Sequence, residues 1–301
     1  MSELSRARRL MDAEALLGAR RIFVPANGLT FEVFEAGEGE RLALLLHGFP
    51  ETAVMWRHLV APLVAKGYRV WAVNQRGYGA TSRPKGKKHY SLAALTGDIA
   101  GLIDASGAKS VTLISHDWGG LVAWVAAIRR LRRLERLIFI NIPHPLCFWQ
   151  TFWRSPRQRR KSFYIALFQL PALPDWLLSL GRGYLTAALI RNAAPRPGAI
   201  CDDAMDIYRD NAASPGAMTA MLNWYRRALW DALAARDEFA ARVETPTLIV
   251  WGLRDVALDR DCLEGTERYV ANLRIERLPG VGHFSPEDAP EKLATLIDDF
   301  L

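Results

Sequence analysis

Short apolar runs recur along the first half of the chain, at residues 42–46, 70–73, 111–114 and 137–140. They are continuous rather than alternating, as expected of strands covered on both faces. Helical stretches at 53–66, 91–106 and 119–131 separate them. Strand, helix, strand in repetition restricts the chain to an α/β fold with a mostly parallel sheet and crossover helices. The rhythm stops at Pro143. Up to about Trp230 there is no strand pattern, and prolines at 171, 174, 195, 197 and 215 separate aromatic helical segments. It resumes with a strand at 247–251, a helix over 259–270, a strand at 274–278 and a final helix over 289–301. The economical reading is a core made of residues 1–143 and 231–301, with a helical block, 144–230, inserted between its parts. Ahead of the first run, 21–25 and 29–35 flank Asn27-Gly28, the dipeptide suited to a tight hairpin turn. Residues 4–17 predict a short amphipathic helix packed on the body.

Charge and composition exclude several function classes. Of 301 residues, 50% are hydrophobic and 24% charged, enough apolar side chain to offset the entropy of ordering. The formal charge of +7 raises the question of nucleic acid. Its clusters, at 85–88, 129–136 and 154–161, carry no aromatic-interleaved stripe or recognition motif, so no nucleic-acid partner is expected. No apolar run reaches the roughly 18 residues of a membrane span, and no signal peptide is evident, which leads us to expect a cytoplasmic protein. Cys147, Cys201 and Cys262 form no CxxC pair, as suits a reducing compartment. His47, His116 and His144 lack consistent ligand spacing, so no metal is expected. His58 and His89 read as structural.

In open parallel sheets, reactive groups gather just past the carboxyl ends of the strands. Reading outward gives HGFPE at 47–51, SHDWGG at 115–120, WGLRD at 251–255 and GVGHF at 280–284. Asp117 occupies the nucleophile position of a strand–turn–helix elbow, with small Ser115 and Gly119 two places to either side. Its bland alternative is a helix cap. Asp255 and His283 follow in the order nucleophile, acid, histidine, and that order favours the catalytic reading of all three. Asp255 alone reads equally as a turn residue.

These motifs, together with NQRGYG at 74–79, resemble those of an epoxide hydrolase of the α/β-hydrolase superfamily, over residues 20–301. The sequence departs from that pattern at Ser115, where Gly is usual, and at Asn74, where Asp is common. The resemblance implies that the helical block is a cap. It also implies that two cap tyrosines, Tyr164 and Tyr225, act as acids, although spacing alone does not single them out from other core aromatics. It suggests a cis peptide at Phe49-Pro50.

The implied chemistry needs no cofactor. Asp117 attacks a ring carbon to form an alkyl ester, while Tyr164 and Tyr225 donate to the ring oxygen. His283, oriented by Asp255, activates water to hydrolyse the ester, and the backbone N–H groups of Phe49 and Trp118 hold the oxyanion. The partners are a small apolar epoxide and water. Phe148, Trp149, Phe152, Trp153 and Phe168 are the expected pocket lining. One rival is a haloalkane dehalogenase, against which Phe49 speaks because many such enzymes carry a halide-binding Asn there. The other is a non-catalytic small-molecule binder. Oligomeric state is not legible.

Overall fold

The computed structural model describes residues 13–301, so most of the expected helix at 4–17 lies outside the described residues. Its end, 13–17, is helical, with Ala13 and Leu17 buried. The core is an eight-stranded sheet in the order β1-β2-β4-β3-β5-β6-β7-β8. Its strands are β1 (Arg20–Ala26), β2 (Leu29–Ala36), β3 (Arg41–Leu46), β4 (Arg69–Val73), β5 (Ser110–His116), β6 (Arg136–Ile140), β7 (Thr247–Gly252) and β8 (Leu273–Leu278). β2 pairs antiparallel with β1 and β4, and every other pairing is parallel. The β1–β2 turn is Asn27-Gly28, both with positive φ, as a primed hairpin turn requires.

The central strands read as unbroken apolar runs because successive side chains enter different cores. Leu42, Leu44 and Leu46 of β3 join Leu113 and Phe139 on one face. Ala43 and Leu45 join Ile114, Ile138 and Val250 on the other. The first face is covered by α2 (Leu92–Ser106) and α3 (Asp117–Ile128), and the second by α1 (Arg57–Ala65) and the C-terminal α12 (Pro290–Phe300). α2 shows how the sequence sets its own ends. Ser91 caps it by accepting from the Ala94 N–H, and Gly107 ends it at φ 61°.

Between β6 and β7 the ordered elements are helical. They are α4 (Pro145–Arg154), α5 (Pro156–Lys161), α6 (Phe163–Phe168), α7 (Leu173–Ala193), α8 (Asp202–Ala213), α9 (Ala217–Asn223), a π-helical turn (Trp224–Ala228) and α10 (Leu229–Ala234), followed by a 3₁₀ turn (Arg236–Ala240). α7 is broken at 180–183, where Gly181, Arg182 and Gly183 take positive φ. The insertion is tied to the core by Tyr208 on α8, whose hydroxyl donates to Glu287 at 2.6 Å. Glu287 lies on α11 (Ser285–Asp288) and pairs with Arg57.

One expected element differs. Residues 259–270 form two 3₁₀ turns, Arg260–Leu263 and Thr266–Arg268, instead of an α-helix. Gly265 between them takes φ 84°, which no continuing helix accommodates.

Candidate active site

β5 runs straight into α3, and the chain turns sharply at Asp117, a non-glycine residue at φ 46°. A strained residue of this kind persists only where its surroundings over-determine it. Here they do so through close packing. A side-chain carbon at Gly119 would collide with the carbonyl oxygens of Leu46 and His47, and one at Gly48 would strike Asp117 itself. Glycine at 119 is therefore required by the approach of the β3 loop. Phe49-Pro50 in that loop is cis, and the Phe49 N–H donates to Asp117 Oδ1 at 2.9 Å. Trp118 lies in the first turn of α3, where N–H groups have no intrahelical acceptor.

The β7 and β8 loops bring in the other two groups. His283 Nδ1 lies 2.7 Å from Asp255 Oδ2, and its Nε2 faces Asp117 Oδ2 at 3.6 Å. Asp255 is locked in place from several sides. Its Oδ1 accepts from the N–H groups of Ala257 and Leu258, and its Oδ2 accepts from Asn141 Nδ2 at 2.7 Å. Lys161, from the insertion, donates to the Asp255 and Leu258 carbonyls at 2.6 and 3.0 Å.

The charges respond to this packing. Burial by itself would raise Asp117, but the hydrogen bond and charge of His283 hold it below its usual value. Burial would raise Asp255 too, but the His283 charge and the hydrogen bonds from His283, Leu258 and Asn141 together hold it below its usual value. Burial would lower His283, yet Asp255 and Asp117 lift it to about 10. Behind Asp117, burial lowers His116 to about 4. Its ring is therefore neutral, and Nε2–H donates to the His283 carbonyl at 3.0 Å. Glu51 faces the other ring nitrogen at 3.5 Å, and burial with the Glu287 charge raises it well above the carboxylate range.

The insertion roofs the site. Asp117, Trp118, Tyr164 and Tyr225 line one cavity, together with apolar groups such as Leu121 and Ile142. Tyr225 sits on the π-helical turn and packs edge-on to Trp118, ring centroids 4.8 Å apart, and to Tyr164 at 6.1 Å. Burial, and then the charge of Asp117, raise the Tyr164 hydroxyl. Burial, then Tyr164 and Asp117, raise that of Tyr225. Both phenols therefore keep their protons at neutral pH and are available as donors.

The expected lining divides. Phe148 and Trp149 face the cavity. Phe152 and Trp153 line only a second, outer groove, a correction to the expected pocket. Phe168 is buried behind the tyrosines, packed on Phe49, Tyr164 and Tyr225. Asn141 too follows a strand end, that of β6, but no motif marks it in the sequence. For Lys161 only the fold supplies a signal. Asn74, where Asp was the common residue, uses its amide to donate to Glu32 Oε2 at 2.7 Å, a bond no ionised carboxylate could make.

Residues 44–290 match the family model described as alpha/beta hydrolase fold. The chain is 38% identical to AB hydrolase superfamily protein YfhM of Bacillus subtilis (strain 168), over 94% of this chain and 98% of that one. It is 34% identical to Epoxide hydrolase 4 of Homo sapiens, over 91% of this chain and 76% of the relative. The chain belongs to the α/β-hydrolase family, in its epoxide hydrolase branch. A solved structure agrees with that placement. It is described as one of the novel epoxide hydrolases from metagenomes of hot environments, and it superposes with a TM-score of 0.82 at 33% identity, over 94% of this chain and 98% of its own. Among the described residues of this α/β hydrolase, no helix is long and apolar enough to cross a membrane.

Proposed function

We propose that this chain hydrolyses epoxides to vicinal diols through a covalent ester on Asp117. The observation that carries the reading is that Tyr164 and Tyr225 line the same cavity as Asp117. An epoxide oxygen stays on the product and must gain a proton, and protonated phenols opposite a carboxylate are suited to that step. A halide leaves without one.

The steps balance as follows. An Asp117 oxygen attacks a ring carbon, the C–O bond breaks, and the alkoxide takes a proton from one phenol, which solvent restores. The ester is neutral, so the charge that helped raise His283 is gone. The imidazolium then loses its proton to solvent, and neutral Nε2 takes one from the water that attacks the ester carbonyl. The N–H groups of Phe49 and Trp118 hold the resulting oxyanion. Collapse of that oxyanion breaks the ester C–O bond; the leaving diol oxygen takes the proton held on Nε2, and the carboxyl left on Asp117 returns a proton to the imidazole, restoring the carboxylate. Asp255 keeps the ring oriented throughout.

The test is a single turnover in oxygen-18 water with an aryl epoxide. The first diol should carry unlabelled oxygen from Asp117, with label appearing only in later turnovers. Label in the first diol would exclude the ester route. Halide release from haloalkanes without any epoxide turnover would instead favour a dehalogenase.

A further inference from the structure

The outer face of the helical insertion is apolar where contact with water alone would favour polar groups. Trp153 is 63% exposed, Phe163 62% and Trp230 54%. All three edge a single groove, and Leu167, one turn beyond Phe163 on α6, is exposed beside them. Contiguous exposed apolar surface of this kind marks an interaction site. The groove leads inward, because Phe148, Trp149, Ser162, Ile165 and Leu229 line both it and the cavity that holds Asp117.

Charge identifies what the face fits. Residues 145–174 carry five cations, Arg154, Arg157, Arg159, Arg160 and Lys161, and no acid. Arg157 and Lys161 share Asp259, and Arg154 meets Glu264. Among the described residues, Arg159 and Arg160 pair with no carboxylate, and Arg159 lines the groove itself. In a two-fold dimer the same patch would meet its own copy, placing these cations against one another. An anionic lipid surface would attract them, and Trp side chains are favoured at the headgroup level. We propose that this face docks peripherally on an anionic bilayer, and that the groove admits apolar epoxides directly from the lipid. The delivery half rests on the epoxide reading, whereas the docking half does not.

Docking is tested without substrate, by co-sedimentation of the full chain with phosphatidylglycerol or phosphatidylcholine vesicles. Binding to phosphatidylglycerol, weakening with salt and accompanied by a blue shift of tryptophan emission, is expected. Arg159→Gln with Arg160→Gln should weaken Kd by about 25-fold, from about fivefold per cation. Trp153→Ser with Phe163→Ser should remove the blue shift and most of the binding, and circular dichroism should show the fold retained. Three results would overturn docking: no binding to phosphatidylglycerol, equal binding to both lipids, or a wild-type dimer that the Trp153/Phe163 variant dissociates while vesicles stay unbound. For delivery, a long-chain alkyl epoxide dissolved in the vesicles should turn over faster on phosphatidylglycerol than on phosphatidylcholine. Equal rates would overturn delivery alone. Absence of turnover even with soluble epoxides would count against the function reading instead.

Discussion

His283 is held tightly on one side and loosely on the other, with Nδ1 2.7 Å from Asp255 and Nε2 3.6 Å from Asp117. The short contact fixes the ring. On the proposed ester route, the long one leaves Nε2 without a short contact, so that it can accept from a water approaching the ester carbonyl. His283→Gln should therefore still form the ester but fail to hydrolyse it. Intact-protein mass spectrometry after epoxide addition should show a stoichiometric gain of the substrate mass. A variant that binds substrate yet gains no mass would place His283 before ester formation.

The same residue makes stability depend on pH. Its pKa is raised to about 10 by Asp255 and Asp117, against burial and an ordinary value of 6.5. The folded state thus binds the proton more tightly than the unfolded chain. The resulting stabilisation is complete below about pH 6.5 and is lost as pH rises through about 10. His283→Gln removes it, so the stability gap between wild type and variant should narrow over that window. Urea unfolding at several pH values measures this, and a gap constant with pH would refute a raised His283.

Tyr164 and Tyr225 lie on separate elements, α6 and the π-helical turn, and converge on Asp117. Either single change to Phe should leave partial epoxide opening. Both together should cost on the order of 2–4 kcal/mol of transition-state stabilisation, comparable to losing an oxyanion donor. Rapid-quench measurement of the alkylation step separates this from later hydrolysis. An unchanged alkylation rate in the double variant would return both tyrosines to the role of packing groups.

Asn141 acts at one remove, as a positioning residue. It donates to Asp255, accepts from Ser285, and does both at φ 46°. Asn141→Ala should destabilise by about 1–3 kcal/mol for the buried partners left unsatisfied. It should lower kcat more than KM. Asn141→Gly tolerates the positive φ, so the loss it retains reports the missing amide. If Asn141→Gly keeps wild-type kcat, Asp255 does not depend on the amide.

How much of this was legible depended on the kind of interaction involved. The core was readable because burial on both sheet faces imposes continuous apolar runs, as at 42–46 and 137–140. Asp117, Asp255 and His283 could be picked out because each lies in the turn or loop after a strand, where a parallel sheet collects reactive groups. The hairpin was equally local, since Asn27-Gly28 carries its own turn preference. Resemblance, rather than pattern, selected Tyr164 and Tyr225, because an aromatic in an aromatic-rich helix carries no periodic mark of its direction.

Only the tertiary structure decided the rest. Sequence cannot tell how far along α4 the cavity reaches: Phe148 and Trp149 lie one turn before Phe152 and Trp153 on the same face, yet only the first pair lines the cavity. The bonds from Asn141 and Lys161 to the Asp255 loop cross 114 and 94 residues of chain. Such contacts leave no trace in local composition, because they exist only once separate segments have packed. The raised His283 has the same origin. Its chemistry is set by two carboxylates that the fold, and not the neighbouring sequence, carries to its ring.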